Sequence, residues 1–130
     1  MNLAARLEGA TKEFHQDLLI GEKVAPLVAD HYFLRPVDLI QVKGKTQPVE
    51  VFAVLGDRSE MTEPGWLATY AEGIRLFRQR AFDEAHAKFT EVLAVNPGDW
   101  LSQEYVRRCE EYQVEAPEES WDGSYAMQTK

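Results

Sequence analysis

QVKGKTQPVEVFAVLG, residues 41–56, decides what the front of this chain can be. VEVFAVLG (49–56) is a β-branched, apolar run that ends at a glycine, which is strand chemistry. KGKTQP (43–48) before it is polar and punctuated by Gly44 and Pro48, which is turn chemistry. Upstream of the turn, Tyr32–Val37 and Leu39–Val42 are both strand-like. Two strands joined by a loop of about five or six residues predict a hairpin. Working outward, DLLIGE (17–22) supplies a short apolar strand, Leu18 to Ile20. Residues 22–30 predict a short helix with Val24, Leu27 and Val28 inward. Pro26 would sit in its first turn, where a missing N–H costs little. Residues 2–16 predict an amphipathic helix, because Leu3, Leu7, Ala10 and Phe14 recur at helical spacing. Asn2 and Arg6 lie one turn apart on a neighbouring stripe. The front of the chain is therefore α+β. A helix, a shorter helix and three or four strands cover one face of a small sheet and leave the other face bare.

DRSEMTEPG (57–65) is polar, turn-rich and without apolar period, so it reads as a linker. After it the period is helical. Leu67, Tyr70, Ala71, Ile74 and Phe77 form one stripe, and Ala81, Ala85, Phe89, Val92 and Leu93 a second. Asn96-Pro97-Gly98 breaks the chain, and Asp99 is a good N-cap for the next helix. Leu101, Tyr105, Val106, Cys109 and Tyr112 form a third stripe. This predicts three helices of about ten to fourteen residues with short turns. Gly73, Ala85, Phe89 and Pro97 are separated by 12, 4 and 8 residues. Those are the small, small, aromatic and proline positions of a tetratricopeptide repeat of about 34 residues. The two small residues let antiparallel helices approach, Phe89 fills the gap, and Pro97 ends the second helix. Thr69 and Glu72 stand where the repeat prefers Trp and Leu. Residues 66–113 thus read as one tetratricopeptide-like hairpin plus a capping helix, with a generic helical hairpin as the alternative. Residues 114–130 form an acidic tail in which WDG (121–123) either docks its tryptophan or hangs free.

Composition bounds the function. The chain has 130 residues and a formal net charge of −8. Residues 1–56 carry six Lys/Arg and seven Asp/Glu, against eight and fifteen in 57–130. An acidic chain repels phosphate backbones, which argues against nucleic acid as a partner. One cysteine, Cys109, excludes an internal disulfide and fits a reducing compartment. No apolar run reaches the roughly 18 residues of a membrane span, and no signal peptide is visible. These features predict a cytoplasmic location. His15, His31 and His86 are scattered without metal spacing, and no Gly-rich phosphate loop exists.

The ordered set NLAARLEG (2–9), LLIGE (18–22) and QVKGKTQPVEVFAVLG (41–56) resembles the C-terminal end of the catalytic domain of class III adenylate/guanylate cyclases. The resemblance covers about residues 1–56 and includes an Asn-x-x-x-Arg helix and a VKGK turn before the last strand. The later pattern, YAEGIRLFRQRAFDEAHAKF (70–89), NPGD (96–99), RRC (107–109) and WDG, resembles the C-terminal region of bacterial, membrane-anchored members of that family. The resemblance implies a partial ferredoxin-like cyclase sheet in 1–56. It also implies attack of a ribose 3′-hydroxyl on the α-phosphate of ATP or GTP, with pyrophosphate leaving. Asn2 would orient the ribose, Arg6 would stabilise the pentavalent phosphate, and Lys43 would hold the leaving phosphates. The residue types suit these roles: Arg offers a planar fork, Lys a flexible point charge, and Asn both donates and accepts. Taken alone, an Asn–Arg pair on a helix and a KGK turn are more often solvated surface.

The same resemblance implies magnesium or manganese in the intact parent, and a homodimer with the site at the interface. The metal aspartates would come from one subunit and the Asn, Arg and Lys set from the other. Asp17, Asp30 and Asp38 are not in the places of those aspartates, so no metal ligand is assigned here. Two-metal chemistry without its ligands does not run, so the chain by itself is expected to be inactive. The competing expectation is a non-catalytic interaction module carried by the helical part, with a protein partner.

Overall fold

The computed structural model describes residues 16, 18–41 and 46–124. The chain divides into a front unit, 1–63 with 124–130, and a helical unit, 64–123. The chain is α+β: its described residues form a three-stranded antiparallel sheet and four helices.

In the front unit the elements run β1 (Leu19–Gly21), α1 (Ala25–Val28), β2 (Tyr32–Ile40) and β3 (Val49–Asp57), with sheet order β1-β3-β2. Val49, Val51 and Ala53 of β3 are buried and alternate with half-buried residues, as expected where one sheet face is covered. The two segments expected on either side of Asp38 are one continuous strand, β2. The physical reason is a bulge. Pro36 pairs with Phe52 and Asp38 with the adjacent Val51, so Val37 is the extra residue. Burial changes phase there: Phe33, Arg35 and Val37 point inward before the bulge, Asp38 and Ile40 after it. A bulge also accommodates Pro36, which has no N–H to give a ladder. A second irregularity lies between Phe33, paired with Gly56, and Leu34, paired with Val54. β2 ends at Ile40 and β3 begins at Val49; Val42, the end of the expected second segment, lies outside the described residues.

The short helix also differs from expectation. It is a single turn with Pro26 at its start, and only Ala25 is buried. Val24 and Leu27 face solvent, with Leu27 77% exposed. One turn has room for one inward residue. The turn after α1 is pinned by Arg58, whose Nε donates to Ala29 O (2.9 Å) while its guanidinium lies 4.4 Å from the Phe33 ring centroid. Asp57 ends β3 by accepting from Ser59 N (2.8 Å) and Ser59 Oγ (2.7 Å), bonds that lower its carboxyl pKa.

The helical unit holds α2 (Leu67–Arg78), α3 (Phe82–Val95) and α4 (Trp100–Val114). Asp99 caps α4 as expected, its Oδ2 accepting from Ser102 N (3.2 Å) and Ser102 Oγ (2.6 Å). Asn96, Pro97 and Gly98 make the break before it, closed by Asp99 N to Asn96 O. Gly73 lies against Phe89: a Cβ at 73 would stand 2.9 Å from two ring carbons. Phe89 stacks on Tyr105 at 4.9 Å and meets Tyr70 edge-on at 5.7 Å. Tyr70, Ala85, Phe89, Val92, Leu101, Tyr105 and Cys109 are all buried. Two stripes differ in detail. Ala71 is exposed and Leu76 is buried in α2; in α4, Ser102, Glu104 and Arg108 go inside with the apolar residues.

The α2–α3 turn is a Schellman cap. Ala81 N donates to Leu76 O (2.9 Å) and Arg80 N to Phe77 O (3.0 Å). The residue at its left-handed position is Arg80, with φ 69°. Glycine usually takes that place, because a side chain there costs about 1–2 kcal/mol. Beyond α4 the chain folds back. Trp121 lies 5.5 Å from Phe77, 5.8 Å from Phe82 and 5.5 Å from Tyr112, so the WDG segment docks.

Candidate functional site

The three residues the sequence singles out, Asn2, Arg6 and Lys43, lie outside the described residues. What is described is the frame of the hairpin that carries Lys43, closed at the pair Ile40–Val49. Two charged residues of β2 are buried within that hairpin: Arg35 is 3% exposed and Asp38 2%. Asp38 Oδ1 accepts from Leu39 N at 2.8 Å. Sequence reasoning gave neither a buried role. The signal is RPVD (35–38), where a proline and two charges interrupt an apolar run. Such an interruption reads as a strand break or as a bulge, and here it is the bulge.

Among the described residues no group of three or more His, Cys, Asp or Glu side chains converges on a point where a metal could sit. The magnesium or manganese that the resemblance implies therefore finds no ligand set in these residues. Among the described residues, no helix is long and apolar enough to cross a membrane. His31 is exposed, and His86 is half-buried with Nε2 3.0 Å from Glu110 Oε2, joining α3 to α4.

The helical unit offers three features. An open groove of about 410 Å³ is lined by Gly65, Trp66, Thr69, Glu91, Val92 and Val95. Its volume falls in the range of ligand clefts, and Val95 at its rim is 71% exposed. A charged cluster occupies α4. Arg108 is fully buried and donates from Nε to Glu104 Oε2 (2.9 Å), while Arg107 donates to both Glu104 oxygens (3.0 and 2.7 Å). The Arg108 guanidinium also lies 4.7 Å from the Tyr105 ring centroid. Spacing of i, i+4 with the acid first is the favourable order on a helix. The third feature is Cys109, whose thiol is pushed up to about 12, first by burial and then by the nearby Glu110 charge. A thiol in that state supplies no thiolate for nucleophilic chemistry. The native chain is therefore expected to leave Ellman's reagent unreacted, with one equivalent released in denaturant. Fast labelling of native protein would contradict this.

No family model matches the chain, and no solved structure matches it. The chain is similar to a terminal-differentiation-specific adenylate cyclase of Dictyostelium discoideum, 29% identical over 115 residues. The match covers 84% of this chain and 5% of that protein, so this chain spans a small part of its relative's length. A match over 84% cannot be confined to the first 56 residues, and it reaches into the helical unit. The chain is distantly related to an adenylate cyclase.

Proposed function

We propose that this chain works in nucleotide cyclisation, as the piece of a cyclase that holds the phosphate-side donors of the site. The observation that carries the reading is the similarity to an adenylate cyclase across both parts of the chain. The ordered Asn-x-x-x-Arg and VKGK motifs support it. In this reading charge grows on the transferring phosphoryl group and must be met by prepositioned donors. Arg6 answers the pentavalent phosphate, Lys43 the leaving pyrophosphate, and Asn2 the ribose. The substrate is ATP or GTP, with ATP favoured. In the intact parent enzyme the metal ligands would come from the other subunit of its homodimer, which carries the aspartate strands that this chain lacks. Bacterial origin and a tetratricopeptide-like character for residues 66–113 belong to the same reading; the close Gly73–Phe89 contact supports the latter.

The test is direct. The 130-residue chain, incubated with ATP or GTP and magnesium or manganese, is expected to form no cyclic nucleotide. Adding a polypeptide that supplies the metal-aspartate strands restores turnover. In that mixture Arg6→Ala lowers the rate by about 100- to 1,000-fold, the usual loss for one charge-stabilising donor. Turnover by the chain alone refutes its dependence on a partner, and an unaltered rate for Arg6→Ala refutes the assigned role. A second reading, a non-catalytic interaction module, is favoured by the open groove beside Trp66 and Val95. Residues 66–130 would then retain a specific partner without the front unit.

A further inference from the structure

The segment after α4, residues 115–123, is held differently from the helices it lies on. Two side chains, Arg80 and Trp121, take part in holding it. Arg80 donates from Nη1 to Glu118 O (2.8 Å) and from Nη2 to Pro117 O (2.7 Å), both at the surface. Trp121, half-buried, rests on Phe77, Phe82 and Tyr112, and the Arg80 guanidinium lies 5.9 Å from its ring centroid. The segment has one turn of its own, Trp121 N to Glu118 O at 3.0 Å. Glu115, Ala116, Glu118, Glu119 and Ser120 face solvent, and Val114 at the hinge is 90% exposed. In the core of the helices Phe89, Ala85, Leu101 and Val92 are fully buried, Phe89 between Tyr70 and Tyr105.

Arg80 gives the second, independent observation. It occupies the left-handed position of the α2–α3 cap, where glycine would be unstrained. An arginine in such a place points to a use for its side chain. Its described contacts all go to the segment: two carbonyls and the Trp121 ring.

We propose that residues 115–123 are a latch, closed by Arg80 and Trp121, that opens over the aromatic cradle of Phe77, Phe82 and Tyr112 while α2, α3 and α4 stay folded. Opening releases the Glu118 and Pro117 carbonyls from Arg80 and undocks the Trp121 ring. It uncovers an aromatic surface at the end of the helical unit. The latch is independent of the cyclase reading, since it uses residues of the helical unit alone.

Native-state hydrogen exchange on the full chain tests it. The Trp121 amide is expected to exchange through an opening separate from, and faster than, that of the Phe89 amide in α3. Arg80→Gly relieves the backbone and removes the fork. It is expected to speed Trp121 exchange by about tenfold, as two modest hydrogen bonds convert to a factor of that order. Phe89 exchange should be unchanged or slower. Arg80→Asn, which also tolerates the left-handed region, should repeat the result. Equal exchange of Trp121 and Phe89 in the wild type would mean one cooperative unit and overturn the latch. So would Trp121 exchange that ignores both substitutions.

Discussion

Phe89→Ala is expected to destabilise the helical unit by about 3–5 kcal/mol, the range for removing a buried aromatic ring. The ring is fully buried, faces Tyr105 at 4.9 Å and an interplanar angle of 19°, and touches Tyr70 edge-on. Its removal leaves a cavity between α2, α3 and α4. Gly73 sharpens the test. In the wild type a methyl at 73 would stand 2.9 Å from the ring, and Phe89 is fully buried, against Tyr70 and Tyr105. Overpacking of that kind costs about 1–3 kcal/mol. Alanine's better helix propensity returns about 1 kcal/mol. Gly73→Ala is thus mildly destabilising on its own. In the Phe89→Ala background the clash is gone, so the same substitution turns neutral or stabilising. Urea unfolding of the four chains measures this sign change. A cost for Gly73→Ala that is the same in both backgrounds would mean that Phe89 is not what excludes the methyl.

That contact was legible because its two residues are of types with few other uses at that spacing. A glycine in mid-helix facing an aromatic ring sixteen residues on needs a reason, and close helix approach supplies it. Asp99 and the Asn96-Pro97-Gly98 break were legible for the same cause: caps and breakers act locally. The hairpin was readable as two strands and a turn, yet its register was not. Val37 is an extra residue only in relation to Phe52 and Val51, which lie on the other strand. No pattern within β2 alone separates a bulge from a break. Arg80 stayed hidden because a left-handed cap announces itself through glycine, and here an arginine holds the place. Trp121 was an open choice because its partners, Phe77, Phe82 and Tyr112, are spread over more than thirty residues. The site divides similarly. Asn2, Arg6 and Lys43 were named from motifs and lie outside the described residues, whereas the buried charges Arg35 and Asp38 emerge from the register of the sheet.

Glu104→Ala is expected to cost about 3–5 kcal/mol, the range for breaking a buried ion pair by deleting one member. Glu104 is not one of the apolar residues of its helix, yet packing takes it inside together with Arg108, which is fully buried. Deleting the carboxylate removes the acceptor 2.9 Å from Arg108 Nε and leaves a cation in the core. Arg107 contributes less, because its own side chain is 53% exposed and screened. If the penalty comes from taking the carboxylate away from a buried guanidinium, replacing both residues removes it: Glu104→Leu with Arg108→Met should recover most of the loss. The protonation of Glu104 gives an independent check. Burial pushes its pKa up, but hydrogen bonds from Arg107 and Arg108 outweigh burial and hold it below the ordinary value. A carboxyl with a lowered folded pKa contributes stability that is present above its unfolded pKa. That contribution is lost as pH falls through the folded value. The wild type should therefore weaken on acidification below the ordinary glutamate range. Glu104→Gln should start less stable at neutral pH and lose less on the way down. Parallel acid limbs for the two chains would show that the carboxylate is not what holds Arg108 in place.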